Sequence, residues 1–429
     1  PKMNVLTGHN QTAAAPPQVA SDALGVLSFL DALSDELDAL LRDSVNRRMF
    51  ADVPIGTFLS GGYDSTTVAA IMQDQCNRPV KTFSIGSHSK SYDEAQHARV
   101  VANHLGTDHT ELYVTAKSAM AVIPELPFVY DEPFSDSSQI PTLLVSKLAR
   151  QHVTVALSGD GGDELFSGYN RHIVGPEFWR AVNILPRLVR RAAGQSLDAI
   201  AQRDLEGWAE RLPRRFRTKS LSNKLEKLAS AMQATTSSAF YKDLASHWKY
   251  PALVVLGAKE PPTLLDRTED QPDFPGLRER MMYLDQMTYL PDGILTKVDR
   301  ASMAVSLEVR VPLLDHRLVE FAWRVPTDFK YRFGKGKWLL QQVLHRYVPQ
   351  ELMDRPKMGF AVPIEHWLRG LLREWAEELL DERRLREEGF FDPVPIRKMW
   401  EEHAFHKRRW HNHLWAVLMF QAWLEHWKR

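Results

Sequence analysis

Apolar residues recur at Leu30, Leu33, Leu37, Leu40, Leu41 and Val45, and this spacing predicts an amphipathic helix beginning near Ser21 and reaching about Phe50. Beyond it the period changes. "PIGTFLS" (54–60), "VKTFSIG" (80–86), "HTELYV" (109–114) and "VTVALSG" (153–159) are short, apolar and rich in β-branched or aromatic residues, the pattern of buried strands. Helical stretches near 64–75, 93–105, 117–125 and 139–151 fall between them. Such alternation predicts a parallel sheet covered by helices. After about Gly168 the strand signal fades, and 277–290, 315–323, 336–347 and 364–381 read as helical. The expected fold is α/β, a Rossmann-like parallel sheet flanked by helices over 21–168, followed by a mostly helical region over 169–429. Residues 1–20, small and polar with a Pro-Pro pair, read as a linker or disordered remnant.

A chain of 429 residues exceeds one compact core. The 54 basic residues balance 54 acidic ones, so no global field draws the chain to nucleic acid or to a membrane surface. The single cysteine, Cys76, excludes an internal disulfide and a multi-cysteine metal site; it fits a reducing compartment and reads as an inert core thiol. No apolar run approaches the roughly 20 residues that span a bilayer, and no signal-peptide pattern opens the chain. A cytoplasmic protein is expected. The sequence starts "PKMNV", without an initiator methionine, which leaves room for a trimmed start.

The chemistry concentrates in two loops. "SGGYDS" (60–65) leaves the first predicted strand and enters a helix, and in a parallel sheet such loops form the ligand crevice. Gly61 and Gly62 let backbone N–H groups approach an anion, Ser60 and Ser65 add donors, and the helix near Asp64 points its positive end at the same place. The ligand expected is a phosphate group. Asp64 would repel a bare phosphate, which makes sense if it holds Mg²⁺ bridging phosphate oxygens. Neither G-x-x-x-x-G-K-[ST] nor G-x-G-x-x-G occurs, so the P-loop and the dinucleotide fingerprint do not apply. The competing reading is a tight Gly-Gly turn capped by serine and aspartate. The second loop shifts the balance: "VTVALSGDGGDELFSGY" again runs from a strand into a glycine-rich turn, now with Asp160, Asp163 and Glu164. Two such loops at one sheet edge make a metal–nucleotide site.

"SGGYDS" resembles the pyrophosphate-binding loop of the ATP pyrophosphatase (PP-loop) superfamily, and its pairing with "LSGDGGDELFSGY" narrows the resemblance to the synthetase domain of glutamine-dependent asparagine synthetases. "LPDGILTKVDRASMAVSLEVRVPLLDHRLVEFAWRVP" (290–326), "GKGKWLLQQVL" (334–344) and "RPKMGFAVPIEHWL" (355–368) extend it, so that it covers about residue 30 to the C-terminus. The resemblance implies that ATP and Mg²⁺ activate the side-chain carboxylate of aspartate as an acyl-adenylate with loss of pyrophosphate, and that ammonia then attacks to give asparagine and AMP. A glycine loop with Mg²⁺ suits that chemistry, because both stabilise the departing anion.

Carried over by motif, Ser60, Gly61, Gly62, Asp64 and Ser65 hold pyrophosphate, while Phe58, Leu59, Ile85, Ser158 and Gly159 line the adenosine. By the same carry-over, Asp64 and Asp163 are expected to bind Mg²⁺. Lys337 matches the lysine that stabilises charge during adenylation and amide formation, although by spacing alone it reads as a solvated surface residue. Asp160 stands where many relatives carry a glutamate that assists amine attack. Tyr63 replaces a usual small or aliphatic residue and is not read as catalytic. For the acceptor, "DEPFSDSSQIP" (131–141) and Lys297, Arg300, Glu308 and Arg310 are candidates, with a structural ion-pair network weighing equally for the last four.

Glutamine-using relatives carry an N-terminal glutaminase domain with a cysteine directly after the initiator methionine, and the sequence given has no such segment. The expectation is that nitrogen comes as free ammonia, from a missing or separate glutaminase, or from an amine within the substrate. His403, His406, His411 and His413 read as a solvated or packed tail rather than a metal cluster. "KRRWHNH" reads as a solvated face rather than a nucleic-acid patch, and the late tryptophans Trp400, Trp410, Trp415, Trp423 and Trp427 as core. The leading expectation is an ATP-dependent amide ligase with small-molecule substrates and no nucleic-acid or membrane partner. Its rivals are the same adenylation on a sugar acid, a peptide or a ring-closing substrate, and a scaffold that holds nucleotide without turnover. Homo-oligomerisation stays open.

Overall fold

The computed structural model describes residues 23–87, 93–201, 221–354 and 362–428. The expected linker over 1–20 lies outside them, as do residues 355–361 of the "RPKMGFAVPIEHWL" stretch. The first helix, α1 (Ala23–Arg48), follows its apolar stripe: Leu37, Leu41 and Val45 are fully buried, and Leu30, Leu33 and Leu40 pack at the edge of the same core. Strand and helix then alternate through β1 (Ile55–Phe58), α2 (Tyr63–Asp74), β2 (Lys81–Ser87), α3 (Ala95–Leu105) and β3 (Asp108–Val114). The helix Gln139–Arg150 leads to β4 (Val155–Leu157).

These strands and one further strand, β5 (Glu308–Arg310), form a parallel sheet in the order β3-β2-β1-β4-β5. Thr57 of β1 pairs with Thr82 on one side and Leu157 on the other. The chain runs outward through β1, β2 and β3, then crosses to the far side of β1 for β4. The order therefore reverses between β1 and β4, where a crevice opens beyond the strand ends. The two glycine-rich loops leave these two strands.

Adjacent residues of β4 face opposite ways, as the strand period requires. Ala156 enters a core with the helix Gln139–Arg150 and the C-terminal helices, whereas Leu157 enters the core with α1 and α2. The late aromatic residues divide: Trp400 and Trp415 are buried in the first core, while Trp427 is 52% exposed. His403 is fully buried near them. Cys76 is partly buried at the edge of the second core, and desolvation raises its thiol pKa.

Three elements depart from expectation. β5 lies far beyond Gly168, where no strand was expected; as a three-residue edge strand with charges at both ends it offers no apolar run to detect. The helix expected over 277–290 runs as Leu277–Leu284, then widens into a π-helix over Asp285–Leu295 that contains Pro291. The helix expected over 364–381 splits into Ile364–Arg369 and Arg373–Leu379 around Gly370. Among the described residues, no helix is long and apolar enough to cross a membrane.

Candidate active site

In the loop after β1, the Ser60 N–H donates to Ser65 Oγ at 3.2 Å, the two serine hydroxyls lie 3.0 Å apart, and Ser65 Oγ donates to the Gly62 carbonyl at 3.3 Å. Gly61 turns the chain at a φ of 71°, left-handed backbone that costs little only without a Cβ. Gly62 then caps α2 with no side-chain acceptor, so the positive end of the helix dipole is directed at the crevice. The loop after β4 packs directly on this turn. A Cβ at Gly159 would stand 2.6 Å from the Ser65 nitrogen and 2.7 Å from the Asp64 carbonyl carbon, so only glycine lets the two loops meet backbone to backbone.

Lys337 binds the arrangement together. It sits between the short hairpin strands β6 (Tyr331–Arg332) and β7 (Lys335–Gly336) and the helix Trp338–Leu344, with a left-handed φ of 57° that is uncommon for a residue with a side chain. Its backbone N–H donates to the Phe166 carbonyl at 2.7 Å. Its ammonium group meets Asp163 Oδ1 at 2.7 Å and also Asp64 Oδ2. The residue is 6% exposed, not the solvated lysine that spacing alone suggests. Burial would lower its pKa, but the charges of Asp163 and Asp64 outweigh that and hold it above the usual lysine range.

All the residues read from the two loops and the strand ends line one cavity of about 1240 Å³: Phe58, Leu59, Ser60, Gly61, Gly62, Asp64, Ser65, Ile85, Ser158, Gly159, Asp160, Asp163 and Lys337. Tyr63 lines it too, its ring edge-on to His345 at 6.2 Å. The Asp160 carboxylate accepts a hydrogen bond from the Ser158 hydroxyl; desolvation raises its pKa against the opposing pull of Ser158 and Lys297. Glu164, 1% exposed, accepts from the Tyr169 hydroxyl, and burial pushes its pKa up to about 7.

The acceptor candidates separate. Lys297 is buried at the cavity with its ammonium 3.1 Å from Asp136 Oδ2 and 2.8 Å from Ser138 Oγ, so this lysine joins the "DEPFSDSSQIP" segment. Arg310 instead donates to the backbone carbonyls of Arg48 and Phe50 at 2.8 and 2.7 Å and to Glu308 at 2.6 Å, tying β5 to the end of α1. Arg300 is exposed beside Asp299 and Asp131, outside the cavity lining.

A second group of cavity residues has no motif to announce it apart from Tyr169, which ends the second glycine-rich loop. The guanidinium of Arg171 lies over the rings of Tyr169 and Tyr289, 4.1 and 4.9 Å from their centroids. Fully buried Asp285, the first residue of the π-helix, holds Arg171 at 2.8 Å and His172 at 2.6 Å and accepts from the Tyr241 hydroxyl. Burial would raise the Asp285 pKa; the His172 hydrogen bond and the Arg171 charge prevail and keep it low. Only the aromatic residues and the Pro291 interruption hint at this group in the sequence.

Backbone donors, two serine hydroxyls and a helix N-terminus are suited to a polyphosphate. Asp64 and Asp163 converge on one positive charge, here the Lys337 ammonium, and two hard oxygen donors of this kind suit Mg²⁺. Among the described residues no three His, Cys, Asp or Glu side chains gather as a metal cage. A cation that completes its shell with phosphate oxygens and water needs none.

The sequence profile of the asparagine synthase family matches residues 36–425. The chain is 31% identical over 400 residues to a glutamine-hydrolysing asparagine synthetase of Bacillus subtilis, covering 92% of this chain and 59% of that protein. A Mycobacterium tuberculosis protein provisionally given the same activity is 34% identical over 402 residues, covering 91% and 57%. More distant is an amidase, chry2, of Gibberella zeae, 23% identical over 401 residues, covering 84% and 57%. The chain thus spans under two thirds of the length of these relatives. With a family profile matched along nearly its whole length, the chain belongs to the asparagine synthase family.

Proposed function

We propose that this chain is the synthetase part of an ATP-dependent amide ligase whose reference acceptor is aspartate. One observation carries the reading: the Asp64–Lys337–Asp163 group stands where the two glycine-rich loops meet, beside backbone donors fit for a polyphosphate. In the proposed sequence an acceptor carboxylate oxygen attacks the α-phosphorus of ATP. The bond to the bridging oxygen breaks, and pyrophosphate leaves with the electron pair. The nitrogen of ammonia then attacks the acyl carbon, the bond to AMP breaks, and one proton is released.

Ser60, Gly61, Gly62 and Ser65 are assigned to the pyrophosphate, and Phe58, Leu59, Ile85, Ser158 and Gly159 to the adenosine. Asp64 and Asp163 would hold Mg²⁺, which supplies charge neutralisation at the phosphates. Lys337, raised in pKa and hence fully charged, adds a fixed cation for the charge that develops in both steps. Asp160, a desolvated carboxylate in the cavity lining, is assigned to accept a proton from the attacking nitrogen. The names of the relatives support aspartate as acceptor and glutamine as the ultimate nitrogen source of those proteins.

The test is pyrophosphate release from ATP, Mg²⁺ and ammonium, with and without aspartate, with mass detection of AMP and asparagine. Aspartate-dependent release with asparagine formed is expected. ATP binding without release under any acceptor tried would overturn the ligase reading in favour of a scaffold.

A further inference from the structure

The cavity does not end at the phosphate and carboxylate groups. It continues between the helices Asn170–Asn183, Leu221–Gln233 and Ser237–Ala245, where its walls are Ile173, Val174, Phe178, Leu228, Phe240 and Leu244. This arm is apolar. Phe240 is almost fully buried in the helical core behind it, whereas Val174 is 60% exposed at its mouth.

Free aspartate is a poor match for such a surface. It is small and carries three charges, and placing charges against an apolar wall costs free energy. The reacting carboxylate belongs at the sheet edge, where Lys337 and Lys297 stand. Whatever else the acceptor carries extends away from those cations, and the apolar arm is where the cavity continues.

We propose that the acceptor is a carboxylic acid bearing an apolar extension, an acyl chain or an apolar peptide segment, which seats in this arm while the carboxylate reacts at the phosphate end. The proposal rests on the ligase reading and narrows its substrate class. Each fully buried methylene is worth about 0.8 kcal/mol, or about fourfold in affinity, so a partly covered chain of four extra methylenes should gain at least tenfold.

The probes are aspartate, N-acetyl-, N-hexanoyl- and N-decanoyl-aspartate, the matching α-alkylamides, and leucyl-aspartate, each assayed by pyrophosphate release. The expected result is a kcat/KM that rises at least tenfold from acetyl to hexanoyl in one series, carried mainly by KM; a gain for the dipeptide instead would identify a peptide as the source of the extension. Val174→Gln and Leu228→Gln should each erase that gain and leave turnover of free aspartate unchanged. Val174 is exposed, so its variant tests the arm without disturbing the core. Turnover of aspartate with no gain from any extension, or a gain that persists in both variants, overturns the proposal and leaves the ligase reading standing. No release with any acid, in a protein that binds ATP, removes both.

Discussion

On the sheet side of the cavity, two short loops supply backbone donors, hydroxyls and carboxylates, and one lysine fixes the spacing of Asp64 and Asp163. On the helix side, the wall comes from residues scattered over more than a hundred positions, with the Arg171 guanidinium over the rings of Tyr169 and Tyr289 and apolar side chains beyond them. On the proposed reading the first side serves one kind of ligand, a polyphosphate, and small displacements of its atoms would disrupt it. The second is a surface whose shape and polarity can change without touching the first. Their different tolerance of change is open to measurement.

The largest effect is expected at Lys337. Lys337→Ala removes the cation between Asp64 and Asp163, and pyrophosphate release should fall by about 10²–10³, the usual loss when one preorganised electrostatic group is deleted. The two carboxylates are then left facing each other. Mg²⁺ should therefore raise the melting temperature of the variant more than that of the parent protein. An equal response to Mg²⁺ would show that the carboxylates do not act as one cation site, and the contrast between the two sides would weaken.

A smaller loss is expected from Gly159→Ala. The added Cβ would press on the Ser65 nitrogen and the Asp64 carbonyl carbon, both backbone atoms that cannot swing aside. Overpacking of this kind costs about 1–3 kcal/mol, and here it separates the two loops, so ATP affinity measured by calorimetry should fall by about tenfold or more. On the helix side, Val174→Gln should leave ATP affinity as it is. Equal losses at both positions would erase the distinction.

The same contrast governs what could be read from the sequence. The strands β1 to β4 and the two loops were legible because each is a contiguous stretch, and a glycine-rich turn after a buried strand has few physical uses. Lys337 was legible only through the family resemblance, since nothing in "GKGKWLL" reveals that a left-handed turn aims its side chain inward. β5 and the π-helix were not legible. A three-residue charged edge strand has no apolar period, and a π-helix carrying Pro291 shares its residue pattern with a helix that simply stops. Lys297, Arg300, Glu308 and Arg310 lie close in sequence, yet only Lys297 lines the cavity: Arg300, on the same helix, is exposed beside Asp299 and Asp131, and the turn after Met303 sends Glu308 and Arg310 into the sheet.

The smallest effect tests Glu164, which stands at the seam between the two sides. Asp64 and Asp163 have Lys337 as a cationic partner, whereas Glu164 is buried with the neutral Tyr169 hydroxyl as its partner, and desolvation lifts its pKa from 4.5 to about 7. The folded protein therefore keeps this proton where the unfolded chain has already released it. Below about pH 4.5 both states are protonated and burial carries no penalty from this group. As pH rises from there through about 7, stability is lost, and above that the loss stays constant. Gln cannot titrate and still offers Tyr169 an oxygen, so Glu164→Gln should be more stable than the parent at pH 8 by on the order of 1–2 kcal/mol relative to the difference at pH 4.5. Urea unfolding of both proteins at the two pH values gives that difference directly, because groups common to both cancel. A difference independent of pH would mean that a cation neutralises Glu164 as Lys337 neutralises its neighbours, placing it electrostatically with the phosphate side.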